Sequence, residues 1–142
     1  MTRHYEILMQ TQDESIAQVL PAVLALVPGV ETVLVQTAGE AAEYLRGHRP
    51  DLVVLDLDWP HVFDLDTIKV LARDAFETVR AVAGSSSVPV VGISSELSHG
   101  QMMELGLADG IQKPFDIAEV EARIERILTA EAATASMGKE QA

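Results

Sequence analysis

The chain has 142 residues, a length that suits one domain, and 48% are hydrophobic, enough for a sizeable core and too many for global disorder. It contains no cysteine, which excludes disulfides and thiol catalysis. A net charge of −12 sets it against nucleic-acid phosphates and anionic membrane surfaces as direct partners, because like charges repel.

Residues 5–10 (YEILMQ) read as a first strand. Residues 1–14 lack a long apolar segment and a small-residue cleavage site, so they are not expected to act as a secretory signal. No apolar run in the chain reaches the length that spans a bilayer, so the expectation is a cytoplasmic, soluble protein. Residues 15–27 place Ile16, Val19, Leu20, Val23, Leu24 and Val27 on one helical face. Pro21 falls inside this helix and is expected to kink or interrupt it, because it lacks the amide hydrogen and clashes with the preceding turn.

Residues 30–36 form a second expected strand, and 38–47 a short helix stopped by Gly47. LVVLDL (52–57) is a third strand, and 64–84 a long helix with Ile68, Leu71, Ala72, Ala75, Val79 and Val82 on its inner face and Gly84 at its end. A serine loop at 85–87 leads to a fourth strand, VPVVGIS (88–94). Ser98 and Gln101 have the spacing of a capping box for a short helix. A fifth strand lies within DGIQK (109–113). Asp116 caps the last helix, Phe115 and Val120 can form its hydrophobic staple, and Ile117, Val120, Ile124, Ile127 and Leu128 form its buried face.

This alternation predicts an α/β fold, a flavodoxin-like doubly wound five-stranded parallel sheet with five helices. The consecutive apolar residues of VVL and PVV suit strands buried on both faces. Ligands of such sheets bind beyond the carboxyl ends of the strands. The third strand ends at Asp56, the fourth at Ser94 and the fifth at Lys113, so three kinds of polar side chain meet at one edge. A carboxylate can accept a phosphoryl group, a hydroxyl can bond a phosphate oxygen and an ammonium can neutralise its charge.

On PDLVVLDLDWP (50–60), VPVVGIS (88–94) and GLADGIQKPFD (106–116), the chain resembles the CheY-like receiver domains of two-component response regulators, from about residue 5 to about 128. The resemblance implies Asp56 as phosphoacceptor, Ser94 as the switch hydroxyl, Lys113 as the invariant lysine and a cis Lys113–Pro114 bond. It implies magnesium as cofactor, with Asp13, Asp56 and Asp58 as its candidate ligands, Asp58 through its main-chain carbonyl. It divides the chain into a receiver-like domain, 1–130, and a flexible C-terminal tail, 131–142.

The chain also departs from that pattern. The acidic pair that closes the first strand of receivers falls on Thr11 and Gln12, or with one residue of slippage on Gln12 and Asp13, so it is at least half lost. The aromatic switch position is Gly110, and Trp59 replaces the usual methionine before Pro60. The third helix is longer than usual by about two turns and the fourth shorter by about one.

The main expectation is therefore a single-domain receiver without an output domain, not an enzyme, acting in signal transduction by protein–protein contact. Its implied partners are a sensor histidine kinase or phosphotransfer protein and a downstream protein, with neither nucleic acid nor membrane; a homodimer through the last helix and the altered fourth-helix face is compatible with the pattern. The alternative is a pseudo-receiver that docks without phosphate. Asp56-Leu57-Asp58 also resembles the D-x-D of haloacid-dehalogenase-type phosphatases, but that family's later acidic pair has no counterpart after Lys113. The histidines at 4, 48, 61 and 99 lack ligand spacing and read as surface residues, with His61 close to Asp56 in sequence.

Overall fold

A computed structural model of the chain describes residues 3–83 and 88–141. Among them, five strands and five helices alternate: β1 (Tyr5–Gln10), α1 (Glu14–Leu24), β2 (Val30–Val35), α2 (Ala38–Gly47), β3 (Leu52–Asp56), α3 (Leu65–Ala83), β4 (Val90–Ser94), α4 (His99–Glu104), β5 (Asp109–Gln112) and α5 (Ile117–Gln141). The strands form one parallel sheet in the order β2-β1-β3-β4-β5. The doubly wound, flavodoxin-like architecture read from the sequence is thus the observed one. The expected stop at Gly84 and the 85–87 loop lie outside the described residues, as do the side chains of the expected tail at 131–142.

Every residue of β3 and β4 is buried, which is why their apolar runs do not alternate. One face of the sheet carries Ile7, Met9, Val54 and Ile93 against α1 and α5, through Leu20, Leu24, Val120, Ile124 and Leu128. The other carries Leu8, Val53 and Leu55 against α2, α3 and α4, through Ala41, Ile68, Ala72, Val79 and Met102. Fully burying a Leu- or Ile-sized side chain contributes about 1.5–3 kcal/mol, so these two layers fix the sheet and hence the edge where β1, β3, β4 and β5 end.

Pro21 does not interrupt α1. The helix runs on through it, and the proline's own carbonyl accepts from the Ala25 amide at 2.9 Å, so the turn that follows is intact. Beyond Leu24 the chain continues in tighter turns, with Leu26 and Val27 amides bonding to Val23 and Leu24 carbonyls, and these keep Val27 in the core. The caps follow the sequence signals. Ser98 and Gln101 form a reciprocal capping box on α4, and Asp116 accepts from the Glu119 amide at 3.1 Å at the start of α5. The Lys113–Pro114 bond is cis.

Candidate functional site

The parallel register brings the ends of β1, β3, β4 and β5 to one edge. Asp56 pairs with Ile93, and Ser94 with Gln112, so Asp56, Ser94 and Lys113 follow one another across neighbouring strands. Backbone bonds carry the ladder past the strand ends: the Leu57 amide donates to the Ile93 carbonyl (2.8 Å) and the Lys113 amide to the Ser94 carbonyl (2.9 Å).

Asp56 is 3% exposed. The Lys113 ammonium donates to its Oδ1 at 2.8 Å, and the Thr11 hydroxyl to its Oδ2 at 2.7 Å. Lys113 reaches a second carboxylate as well, with Nζ 3.0 Å from Oδ2 of Asp58. One ammonium therefore bridges two aspartates. Asp58 also accepts from the Ser94 hydroxyl (2.8 Å), the Ser95 amide (2.9 Å to Oδ2) and the Ser95 hydroxyl (2.9 Å). Its carboxylate thereby ties the β3–α3 connection to the β4–α4 connection. Ser94 in turn accepts from the amides of Glu96 and Leu97, at 3.1 and 3.0 Å.

Burial pushes the Asp56 carboxyl above its ordinary value, and the bonds from Lys113 and Thr11 only partly offset this. Burial acts the same way on Asp58, but there the bonds from Ser94, Lys113 and the Ser95 amide outweigh it and hold the carboxyl low. Burial works against the Lys113 ammonium, yet Asp56 and Asp58 more than compensate and hold it above the ordinary lysine value. Asp56 and Lys113 thus pull in opposite senses across one contact. The short ammonium–carboxylate distance, with a second donor on Asp56, favours the ionised pair near neutral pH.

The remaining candidates are placed differently. Asp13 is the N-cap of α1, its Oδ1 accepting from the amides of Ser15 (2.8 Å) and Ile16 (3.2 Å), and it does not join Asp56 and Asp58. A carboxylate free of its neighbours in sequence is drawn to those unpaired helix amides, which is why it caps. Gln12 is exposed, and Thr11, buried, closes β1. Among the described residues no group of three or more His, Asp or Glu is arranged to hold a metal ion. Trp59 is half-buried and packs against the α3-side core. His61 is exposed, in a left-handed conformation with φ 63°.

Three contributions were not legible in the sequence. Thr11 stands at the acidic-pair position, and nothing in the sequence marks its donation to Asp56. Ser95, next to Ser94, gives its amide and hydroxyl to Asp58. His99, read as a surface histidine, bonds to the Gly110 carbonyl through Nδ1 at 2.9 Å.

The family model for the response regulator receiver domain matches residues 7–125. The DNA-binding response regulator MtrA of Mycobacterium tuberculosis H37Rv is 32% identical over 126 residues, covering 87% of this chain and 50% of MtrA. Response regulator Rre1 of Synechocystis is 31% identical over 112 residues, covering 77% of this chain and 45% of Rre1. The chain thus spans about half the length of the curated relatives it matches. Among solved structures, the receiver domain of sensor histidine kinase PA1611 from Pseudomonas aeruginosa PAO1, with magnesium coordinated in its active-site cleft, superposes with a TM-score of 0.71 at 22% identity over 89% of this chain and 99% of that one. The receiver domain of a LuxO-type repressor protein from Vibrio parahaemolyticus gives 0.72 at 14% identity, over 95% and 98%.

Proposed function

Because the chain belongs to the response regulator receiver domain family, we propose that it acts in signal transduction as a docking module whose pocket is held by Lys113 instead of by magnesium, and that docking does not depend on phosphorylation of Asp56. The observation that carries this reading is the bridging ammonium. It occupies Oδ1 of Asp56 and Oδ2 of Asp58 while Thr11 occupies the other oxygen of Asp56. Magnesium takes near-octahedral oxygen ligands, one or two of them carboxylates, and keeps several waters; here the two carboxylates at the edge already share one ammonium. The third candidate carboxylate, Asp13, is engaged as a helix cap. With both edge carboxylates paired to Lys113 and Asp13 turned to the helix, the residues present do not fit the ion.

A second reading keeps Asp56 as phosphoacceptor. It is favoured by the convergence of Asp56 and Lys113 at one edge, where an ammonium faces the carboxylate that would receive the phosphoryl group. A phosphatase of the D-x-D type has less support, because the Asp58 carboxylate is saturated by Lys113, Ser94 and Ser95 and is not free to move a proton.

Both readings imply a protein target downstream; a histidine kinase or phosphotransfer protein upstream follows from the phosphoacceptor reading, as is typical of receiver domains. The mycobacterial relatives are named as DNA-binding, so the exclusion of nucleic acid has no support from them; the charge of −12 speaks only for this stretch of chain. No helix among the described residues is long and apolar enough to cross a membrane.

The test is a backbone NMR titration with millimolar magnesium and then beryllium fluoride, which mimics an acyl phosphate. The expected result is no saturable shift at Asp56, Ser94 or Lys113, with partner capture unchanged in Asp56→Ala. Saturable shifts at those residues support the phosphoacceptor reading and overturn this one.

A further inference from the structure

Gly92 of β4 and Gly110 of β5 are register partners, so two residues without side chains lie side by side on the α4 face of the sheet. Together they make a trough. Met102, the one buried residue of α4 and 0% exposed, lies in it. A Cβ on Gly110 would stand 2.6 Å from Met102 Cβ and 3.1 Å from its Sδ and Cε. A Cβ on Gly92 would stand 3.4 Å from the same sulfur and 2.8 Å from Leu57 and Leu107. No real Cβ tolerates the 2.6 Å approach, so α4 can lie this close to the sheet only because position 110 is glycine.

A polar contact closes the other side of the same residue. His99, one helical turn before Met102, directs Nδ1 to the Gly110 carbonyl at 2.9 Å. Arg123 of α5 donates to that carbonyl at 3.2 Å and to both oxygens of Asp109, at 3.1 and 3.3 Å. Asp109, 6% exposed, also lies 3.6 Å from His99 Nδ1, and Glu119 accepts from Arg123 at 2.9 Å. Gly110 thus receives an apolar side chain of α4 on its inner face, while its carbonyl is shared by α4 and α5.

We infer that Met102 in the Gly92–Gly110 trough, together with His99, is a latch that holds α4 against β5 in a single register, so that the surface made by α4, β5 and the start of α5 is presented in one conformation. This deepens the reading of a docking module and rests on it in one respect: nothing at Asp56 is required to set α4. The latch itself follows from the packing alone. Methionine suits the trough because its unbranched thioether fills an irregular gap that a branched side chain would not.

The test is residue-resolved hydrogen exchange and relaxation dispersion on the full chain. In the wild type, the α4 and β5 amides should show no microsecond–millisecond exchange. In Met102→Ala, the amides of Met102 and Leu105 should exchange about tenfold faster or more, with β1 and β3 unchanged, whereas Met102→Leu should stay within about threefold. Should Met102→Ala not fold, His99→Ala, a change outside the core, should raise exchange in the first turn of α4. Unchanged α4 exchange in these variants, or two-state exchange of α4 in the wild type, overturns the latch. Beryllium fluoride shifts at Asp56 with α4 unmoved would overturn the docking reading of the pocket and leave the latch standing.

Discussion

The Lys113 ammonium lies 2.8 Å from Oδ1 of Asp56, across the end of β4, and the same nitrogen reaches Asp58 at 3.0 Å. The two carboxylates do not depend on it equally. Asp58 has the serines of the β4–α4 connection as further partners, whereas among the described residues Asp56 has the Thr11 hydroxyl alone beside the lysine.

Lys113→Gln should therefore cost about 3 kcal/mol in urea unfolding, because it strands a buried charge at Asp56 and removes a donor from Asp58. Asp56→Asn should cost less than half as much, since the lysine keeps Asp58 as a partner. Equal losses in the two variants would mean that the ammonium is not shared.

Asp58→Ala should cost about 2 kcal/mol and release the β4–α4 connection, as the Ser94 hydroxyl and both Ser95 donors lose their acceptor. Amide exchange at Ser95 reads this directly and should rise while that of Val53 and Val54 does not.

The pH dependence separates the three groups. Lys113 is raised above 10.5, so its contribution is complete below that value and is lost as the pH climbs through the raised one; Lys113→Gln should lack this alkaline fall. Asp58 is lowered from 3.8, so its contribution is present above 3.8 and is lost as the pH falls through the lowered value. Asp56 is raised from 3.8, so its contribution is present below 3.8 and is lost as the pH rises through the raised value. Asp56→Asn should remove that second, opposite slope and leave a simple acid fall. Denaturant midpoints between pH 2 and 11 decide this.

Thr11→Asp should create a carboxylate beside Asp56, where the hydroxyl now stands at 2.7 Å. Without metal the like charges should lower the thermal midpoint. With magnesium the variant should recover stability by roughly 2.7 kcal/mol at a hundredfold excess over its Kd, while the wild type stays unmoved. A wild-type midpoint that rises with magnesium to the same extent would show that the native pocket already takes the ion.

Gly92→Ala should be overpacked, because its Cβ would meet Leu57 and Leu107 methyl groups at 2.8 Å. The expected loss is about 1–3 kcal/mol by urea unfolding, with Leu107→Ala partly relieving it in the double variant. Strict additivity of the two would show that the contact does not matter.

Length, apolar period and strand-end chemistry were enough to read the doubly wound sheet, its helices, the caps at Ser98 and Asp116 and the edge shared by Asp56, Ser94 and Lys113. These features are local or follow from strand direction, and each leaves its mark within a few residues of sequence. What only the tertiary structure decided are contacts between residues far apart in the chain. Thr11 and Asp56 are 45 residues apart, and Asp56 and Lys113 57 apart, and no periodicity records which oxygen each donor takes. Asp13, by its sequence a candidate metal ligand, instead accepts from the free amides at the start of α1. Gly110 looked like a position that had lost a side chain; it is the space that Met102 fills, and only the packing of α4 on the sheet could show that.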